Sequence, residues 1–182
     1  KTMTDEKGAL AGFVGISRDI TERKQAEEAL RESELKFKSI VEHVSDIFFI
    51  LNSNLEMVYI SPQVQMLGYT SEEMLDIWQN LVTDNPINLA AREKTQLALT
   101  TGEKQEPYLQ EFMHRDGKKR LIEINESPFK NDKGEVIGIV GAARDVTERK
   151  QVEEQKNLSL KILGLLTKKG DQSEIIREIL LL

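Results

Sequence analysis

Two histidines, no cysteine and 31 acidic residues restrict the covalent chemistry open to this 182-residue chain. Without thiols there are no disulfides, no thiolate nucleophile and no cysteine-ligated zinc. His43 lies in Val41-Glu42-His43-Val44 and His114 beside the turn Asp116-Gly117, and each reads as a solvated side chain. Glu123 is the best general base on offer, because strand alternation puts it with Asn125 on one face. No nucleophile–base pair is visible, so a small hydrolase stands only as an alternative. The chemistry that repeats is non-covalent. Asp19-Ile20-Thr21 and Asp145-Val146-Thr147 each set a carboxylate two residues before a hydroxyl, and Glu-Arg-Lys follows both. A threonine hydroxyl at that point can cap a helix, and Glu22 or Glu148 puts negative charge in its first turn.

Both junctions belong to a longer repeat. Residues 7–30 match residues 133–156 at a constant offset of 126, with 14 of 24 positions identical. In each copy Lys-Gly marks a turn, an apolar run containing glycine follows, and the pattern then switches to a charged helix. An offset of one domain length implies a tandem array. Residues 1–21 are then the tail of a preceding copy, 22–44 a connecting amphipathic helix, 45–147 a complete domain and 148–168 an outgoing linker helix. The chain starts without Met and stops within Ile179-Leu180-Leu181-Leu182, so both ends read as cuts through a longer polypeptide.

The elements that must position these residues follow from periodicity. In the 22–44 helix Ala26, Leu30, Phe37, Ile40 and Val44 fall near a seven-residue repeat, with Ser33 the misfit. Strands at 47–51 and 55–60 form a hairpin across Asn52-Ser53-Asn54. Ser61-Pro62 starts a short helix reaching Leu67, which Gly68 stops. Thr70 and Glu73 have capping-box spacing. A helix over 87–101 ends at Gly102. Strands at 107–114 and 118–127 flank Asp116-Gly117, with Pro128 at the strand's end, and Asn131–Gly134 turns into a last strand over 136–143. The result is α+β: an antiparallel sheet with its helices grouped on one side. The last strand is apolar on both faces, Ile137 and Ile139 on one and Val136, Val140 and Ala142 on the other. The helix of 22–44 is the expected outer cover, from its own chain or across a two-fold dimer.

SPQVQMLGYTSEEML (61–75), HRDGKKRLIEINESPF (114–129) and KGEVIGIVGAARDVTERK (133–150) resemble the PAS family, and the resemblance covers residues 35–150. It implies a five-stranded antiparallel sheet with helices on one face, flanked by long N- and C-terminal signalling helices. It also implies a pocket between the sheet and the helices of 61–101. Phe49, Leu51, Gln110, Phe112, Ile122, Ile124, Gly141 and Ala143 would face that pocket, leaving it apolar with Gln110 as its one polar handle. Arg92 would either pair with a ligand carboxylate or face Glu93 or Asp84 in solvent. Photochemical flavin domains of the family use a cysteine and ring amides, whereas this chain has no cysteine and carries Phe112, Ile122 and Ala143 at the matching positions. Oxygen-sensing haem domains use a histidine on the longer helix, and 87–101 has none. No cofactor is therefore expected; an unknown small molecule and a packed core without ligand both stay open. Asp145 with Thr147, and Asp19 with Thr21, are similar to the signature that joins the family's last strand to its outgoing helix and turns sheet shifts into helix motion.

Residues 157–182 resemble the opening of a GAF domain, with Asp171 and Glu174 capping its helix; a plain amphipathic linker is the alternative. Val152, Ile162 and Leu166 give the outgoing helix a partial seam, which suits a parallel homodimer through the flanking helices. The resemblance implies a sensory relay module of a two-component sensor, with a histidine kinase or another output domain downstream. A ligand-free dimerisation spacer is the alternative. The chain shows no phosphoacceptor region and no glycine-rich nucleotide loop, so it is not expected to be an enzyme itself. A charge of −6 argues against nucleic acid. No apolar run approaches the roughly 20 residues of a membrane span, so a cytoplasmic location and no membrane contact are expected.

Overall fold

A computed structural model describes residues 2–4, 6–13 and 18–167. They divide into two units, 1–41 and 42–182. In the first, β1 (Thr2–Thr4) pairs antiparallel with β2 (Leu10–Phe13), and Gly8 turns between them at φ +78°. α1 (Thr21–His43) begins where Asp19 Oδ1 accepts the Thr21 N–H at 2.8 Å. Leu30, Leu35 and Ile40 on α1 are each more than half exposed.

The second unit is an α+β domain. Its strands are β3 (Ile47–Asn52), β4 (Met57–Ile60), β5 (Tyr108–Met113), β6 (Lys119–Lys130) and β7 (Val136–Asp145). They pair antiparallel in the order β4-β3-β7-β6-β5. The last strand therefore sits in the middle, bonded to β3 from Ile47↔Ala143 onward and to β6 from Ile122↔Asp145 onward. A 3-10 helix (Pro62–Leu67), α2 (Ser71–Leu81) and α3 (Ile87–Thr101) connect the two halves and pack on one face of the sheet. α4 (Thr147–Thr167) leaves from the end of β7.

Local chemistry explains the boundaries. Pro62 opens the 3-10 helix, and Gly68 closes it at φ +85°, where a side chain would be strained. Thr70 and Glu73 form a complete capping box at the start of α2. The Glu73 carboxylate also takes the Arg115 guanidinium, whose Nη1 donates to the Gly68 carbonyl at 3.0 Å. The β5–β6 hairpin tip is thereby clamped to the start of α2. Ser61, just after β4, is fully buried and ties the backbone of Phe48 on β3 in both directions.

Four expectations need correction. Leu55 is not in a strand: it turns at φ +63°, and β4 starts at Met57. Pro128 is not at a strand end, because β6 runs on to Lys130 with Pro128 opposite Ile139. This is tolerated because β5 pairs no further along β6 than Ile124, so the missing amide faces an unpaired edge. His114 is not solvated: its side chain is only 18% exposed, packed by Gly68, and its Nδ1 accepts the Asp116 N–H. Ile137, on the same face as the fully buried Ile139, is 42% exposed because it lies at the start of β7, where the strand enters the sheet. Val140 on the other face is also 42% exposed. No helix among the described residues is long and apolar enough to cross a membrane. Residues 169–182, with Asp171 and Glu174, and the side chain of Leu166 lie outside what is described.

Two glycines let β7 into its place. A Cβ on Gly141 would lie in the Phe49 ring, and one on Gly138 would strike the Leu51 carbonyl oxygen and the Phe129 ring. The Leu51 oxygen is backbone and cannot rotate away, so Gly138→Ala should destabilise the domain by about 2 kcal/mol in denaturant titration.

Candidate functional site

The space between the helices and the inner face of the sheet is a cavity of about 250 Å3. Alternation brings its walls together: Phe49 and Leu51 from β3, Gln110 and Phe112 from β5, Ile122 and Ile124 from β6, and Ala143 from β7 all line it. Gly141 stands behind the Phe49 ring. Leu67, Met74 and Trp78 close it from the helix side. Arg92 lines it too, from an exposed position on α3, and forms no ion pair with Glu93, Asp84 or any other described residue.

Gln110 is not the only polar handle. The inward face of β6 continues past Ile124 to Glu126, which is 3% exposed and lines the cavity. Tyr108 on β5 and Thr95 on α3 meet there, their hydroxyls 2.8 Å apart and facing the Glu126 carboxyl. Oε1 of Glu126 has no hydrogen-bond partner. Burial holds the Glu126 pKa above the ordinary carboxylate value, against the pull of the two hydroxyls. The Tyr108 hydroxyl is pushed up as well, by burial first and by the neighbouring Glu126 charge second. Sequence reading misses this corner because the inward face of β6 is followed only through its apolar residues, Ile122 and Ile124, and a carboxylate is not expected to continue it. The signal was present: Ile122, Ile124 and Glu126 share one parity, and Thr95 follows Asn88 and Arg92 at helical spacing. Asn88 lines the cavity as well, but its amide is engaged with the backbone of Thr83 and Glu111 and fixes α3 to β5.

The second constellation is the exit of β7. Asp145 Oδ1 accepts the Thr147 N–H at 2.8 Å and also the Thr147 hydroxyl. The Thr147 Oγ1 in turn accepts the Leu121 N–H at 2.9 Å, and the Val146 N–H donates to the Leu121 carbonyl at 2.9 Å. Thr147 is therefore not the helix cap. Asp145 caps α4, while the Thr147 hydroxyl bonds the helix start to β6. Arg149 pairs with Glu123 at 2.9 Å and Arg120 lies 3.8 Å from Asp145 Oδ2. Glu123, the base of the hydrolase alternative, is thus held in an ion pair, and Asn125 is exposed. In the earlier copy Asp19 again receives the Thr21 N–H, and its hydrogen bonds with Thr21 hold its carboxyl below the usual range. No cluster of metal-ligating residues occurs among the described residues.

A family model for the PAS fold matches residues 41–151. A curated relative, the uncharacterized protein y4lL of Sinorhizobium fredii (strain NBRC 101917 / NGR234), is 28% identical over 165 residues. The match takes in 88% of this chain but only 19% of that protein, so the chain spans about a fifth of the relative's length. Among solved structures, a sensory box histidine kinase/response regulator from Burkholderia thailandensis E264 superposes with a TM-score of 0.57 at 24% identity, covering 70% of this chain and 97% of that one. A PAS domain from Colwellia psychrerythraea gives 0.53 at 19% identity, covering 63% and 98%. These likenesses are of fold.

Glu126 sets a pH dependence whose sign follows from its raised pKa. Stability linked to this group is fully present below the ordinary value of 4.5 and is lost as pH rises toward the folded-state value. Glu126→Gln should therefore stabilise the domain at neutral pH, with the difference from wild type shrinking as pH falls to 4.5. Denaturation of both proteins across that pH range reads it directly.

Proposed function

The chain belongs to the PAS fold family, and from that premise we propose that it is the sensory and signal-relay module of a larger multi-domain sensor. Rearrangement at the cavity passes along β6 and β7 into α4 through the Asp145–Val146–Thr147 junction. The observation that carries this reading is the Thr147 hydroxyl: it accepts from Leu121 on β6 while donating to Asp145 on β7. Three elements meet at one side chain, and the helix cannot turn without breaking one of those bonds. Leu121 directly precedes the cavity residue Ile122, so displacement of β6 by an occupant of the cavity reaches the start of α4 within one residue.

The parent is a two-component sensor, a histidine kinase in our reading, with its output domain downstream of this chain. The repeat of Asp19–Thr21 in front of α1, with the β1–β2 turn at Gly8 matching the β6–β7 turn at Gly134, supports a tandem arrangement of such modules. The flanking helices act as the dimer contact. Leu30, Leu35 and Ile40 on α1 and Val152, Leu160 and Leu163 on α4 expose apolar surface of the kind a second copy covers.

Thr147→Val keeps the shape and removes the hydroxyl, leaving the Leu121 N–H without its acceptor and lowering stability by about 1–2 kcal/mol. Filling the cavity with Ile122→Phe should change amide exchange in the first turn of α4. In the Ile122→Phe/Thr147→Val double variant that change should vanish; its persistence would remove the junction from the relay. Light scattering should give a dimer, converted to monomer by Leu30→Glu with Ile40→Glu.

A further inference from the structure

The polar groups of the cavity are distributed unevenly. Leu51, Met57, Ile60 and Leu67 make one side hydrocarbon, while Thr95, Tyr108 and Glu126 form a single corner where α3, β5 and β6 meet. A carboxyl that is 97% removed from solvent is an expensive group to keep, and packing does not require it. Two hydroxyls face it, Oε1 is unpartnered, and no basic side chain among the described residues pairs with it. Lys94, 5.8 Å from the centroid of the Tyr108 ring, gives its ammonium to the Glu106 carbonyl. Oε1 can accept a hydrogen bond, and a donor that also carries positive charge would offset the burial of the carboxylate. Four aromatic side chains, Phe49, Trp78, Tyr108 and Phe112, line the same space, and ring faces attract organic cations.

We infer that the cavity is a site for a small organic cation, a protonated amine on an aromatic or alkyl body, with the nitrogen on Glu126 Oε1 and the body against the aromatic rings. The volume of about 250 Å3 keeps the occupant small, below the about 300–1,000 Å3 of drug-sized pockets. Arg92, exposed where it lines the cavity, disfavours a second positive charge on the ligand. This inference rests on the sensory reading of the cavity and names the chemistry it senses.

Three probes share one body and differ in head-group charge: 2-phenylethylamine, 2-phenylethanol and phenylacetate. Titration calorimetry with the 182-residue chain should show the amine binding at least about tenfold tighter than the alcohol, and phenylacetate weakest. In Glu126→Gln, which keeps the side-chain shape, the amine should fall to the level of the alcohol while the alcohol is unchanged. A thermal melt checks that the variant is folded, and Glu72→Gln, which removes an exposed carboxylate outside the cavity lining, should leave the amine preference intact. Equal binding of all three, or an amine preference that survives Glu126→Gln, overturns the cation class and leaves the sensory reading standing. No binding of any probe up to about 5 mM, with no thermal shift, overturns both.

Discussion

The domain depends on β7 fitting between its hairpin neighbour β6 and β3, a strand made far earlier in the chain. β3 and β6 share no hydrogen bonds with each other; each is completed only when β7 arrives, with Phe49 opposite Gly141 and Phe129 opposite Gly138. The rings occupy the volume that side chains on β7 would need, so the strand must be small at those two points and apolar elsewhere. Closing the sheet on so distant a partner as β3 costs loop entropy that only the finished core returns. One strand thus carries the sheet's cooperativity, and that same strand runs without a loop into α4. Disturbing its neighbours on either side moves the root of the helix.

The cavity sets stability against use. Ten of its wall residues are buried hydrophobics of the main core, which would pack tighter if the space were closed. The chain instead holds open volume and keeps a carboxyl in it, and the cost of that carboxyl grows with pH. A sequence shaped for stability alone would carry an aliphatic residue at 126, since Ile122 and Ile124 set the pattern.

Much of this was legible in the residues because the signals were local. Gly68 and Gly102 end helices at positive φ, Thr70 and Glu73 are three residues apart as the capping box requires, and two-residue alternation put Phe112, Ile122 and Ile124 on one face. What stayed hidden depends on partners far along the chain. Pro128 looked like a stop because nothing in its own neighbourhood says that β5 ends opposite Ile124, leaving the edge on which a proline is harmless. Glu126 stayed hidden because a charged residue does not read as the continuation of the apolar Ile122–Ile124 face, and with it went the corner formed with Tyr108 and Thr95. Thr147 was read as a helix cap because capping is the local use of a hydroxyl; its actual acceptor role toward Leu121 spans 26 residues. Asp145, the true cap, was recognised by its position in the repeat and not by its geometry.

The clamp at the hairpin tip has a further consequence. Glu73 caps the Thr70 N–H with the same carboxylate that holds Arg115, and Arg115 also lies 5.0 Å from the centroid of the Tyr69 ring. The Arg115 clamp and the exit to α4 therefore sit at the same end of the β5–β6 ribbon, since Leu121, which bonds Thr147, lies just after the hairpin that carries Arg115. A β-ribbon held at one end is left to swing about that end. In the relay proposed above, strain entering where Gln110 faces Ile122 acts close to this fixed end, and the outgoing helix receives rotation in preference to a push.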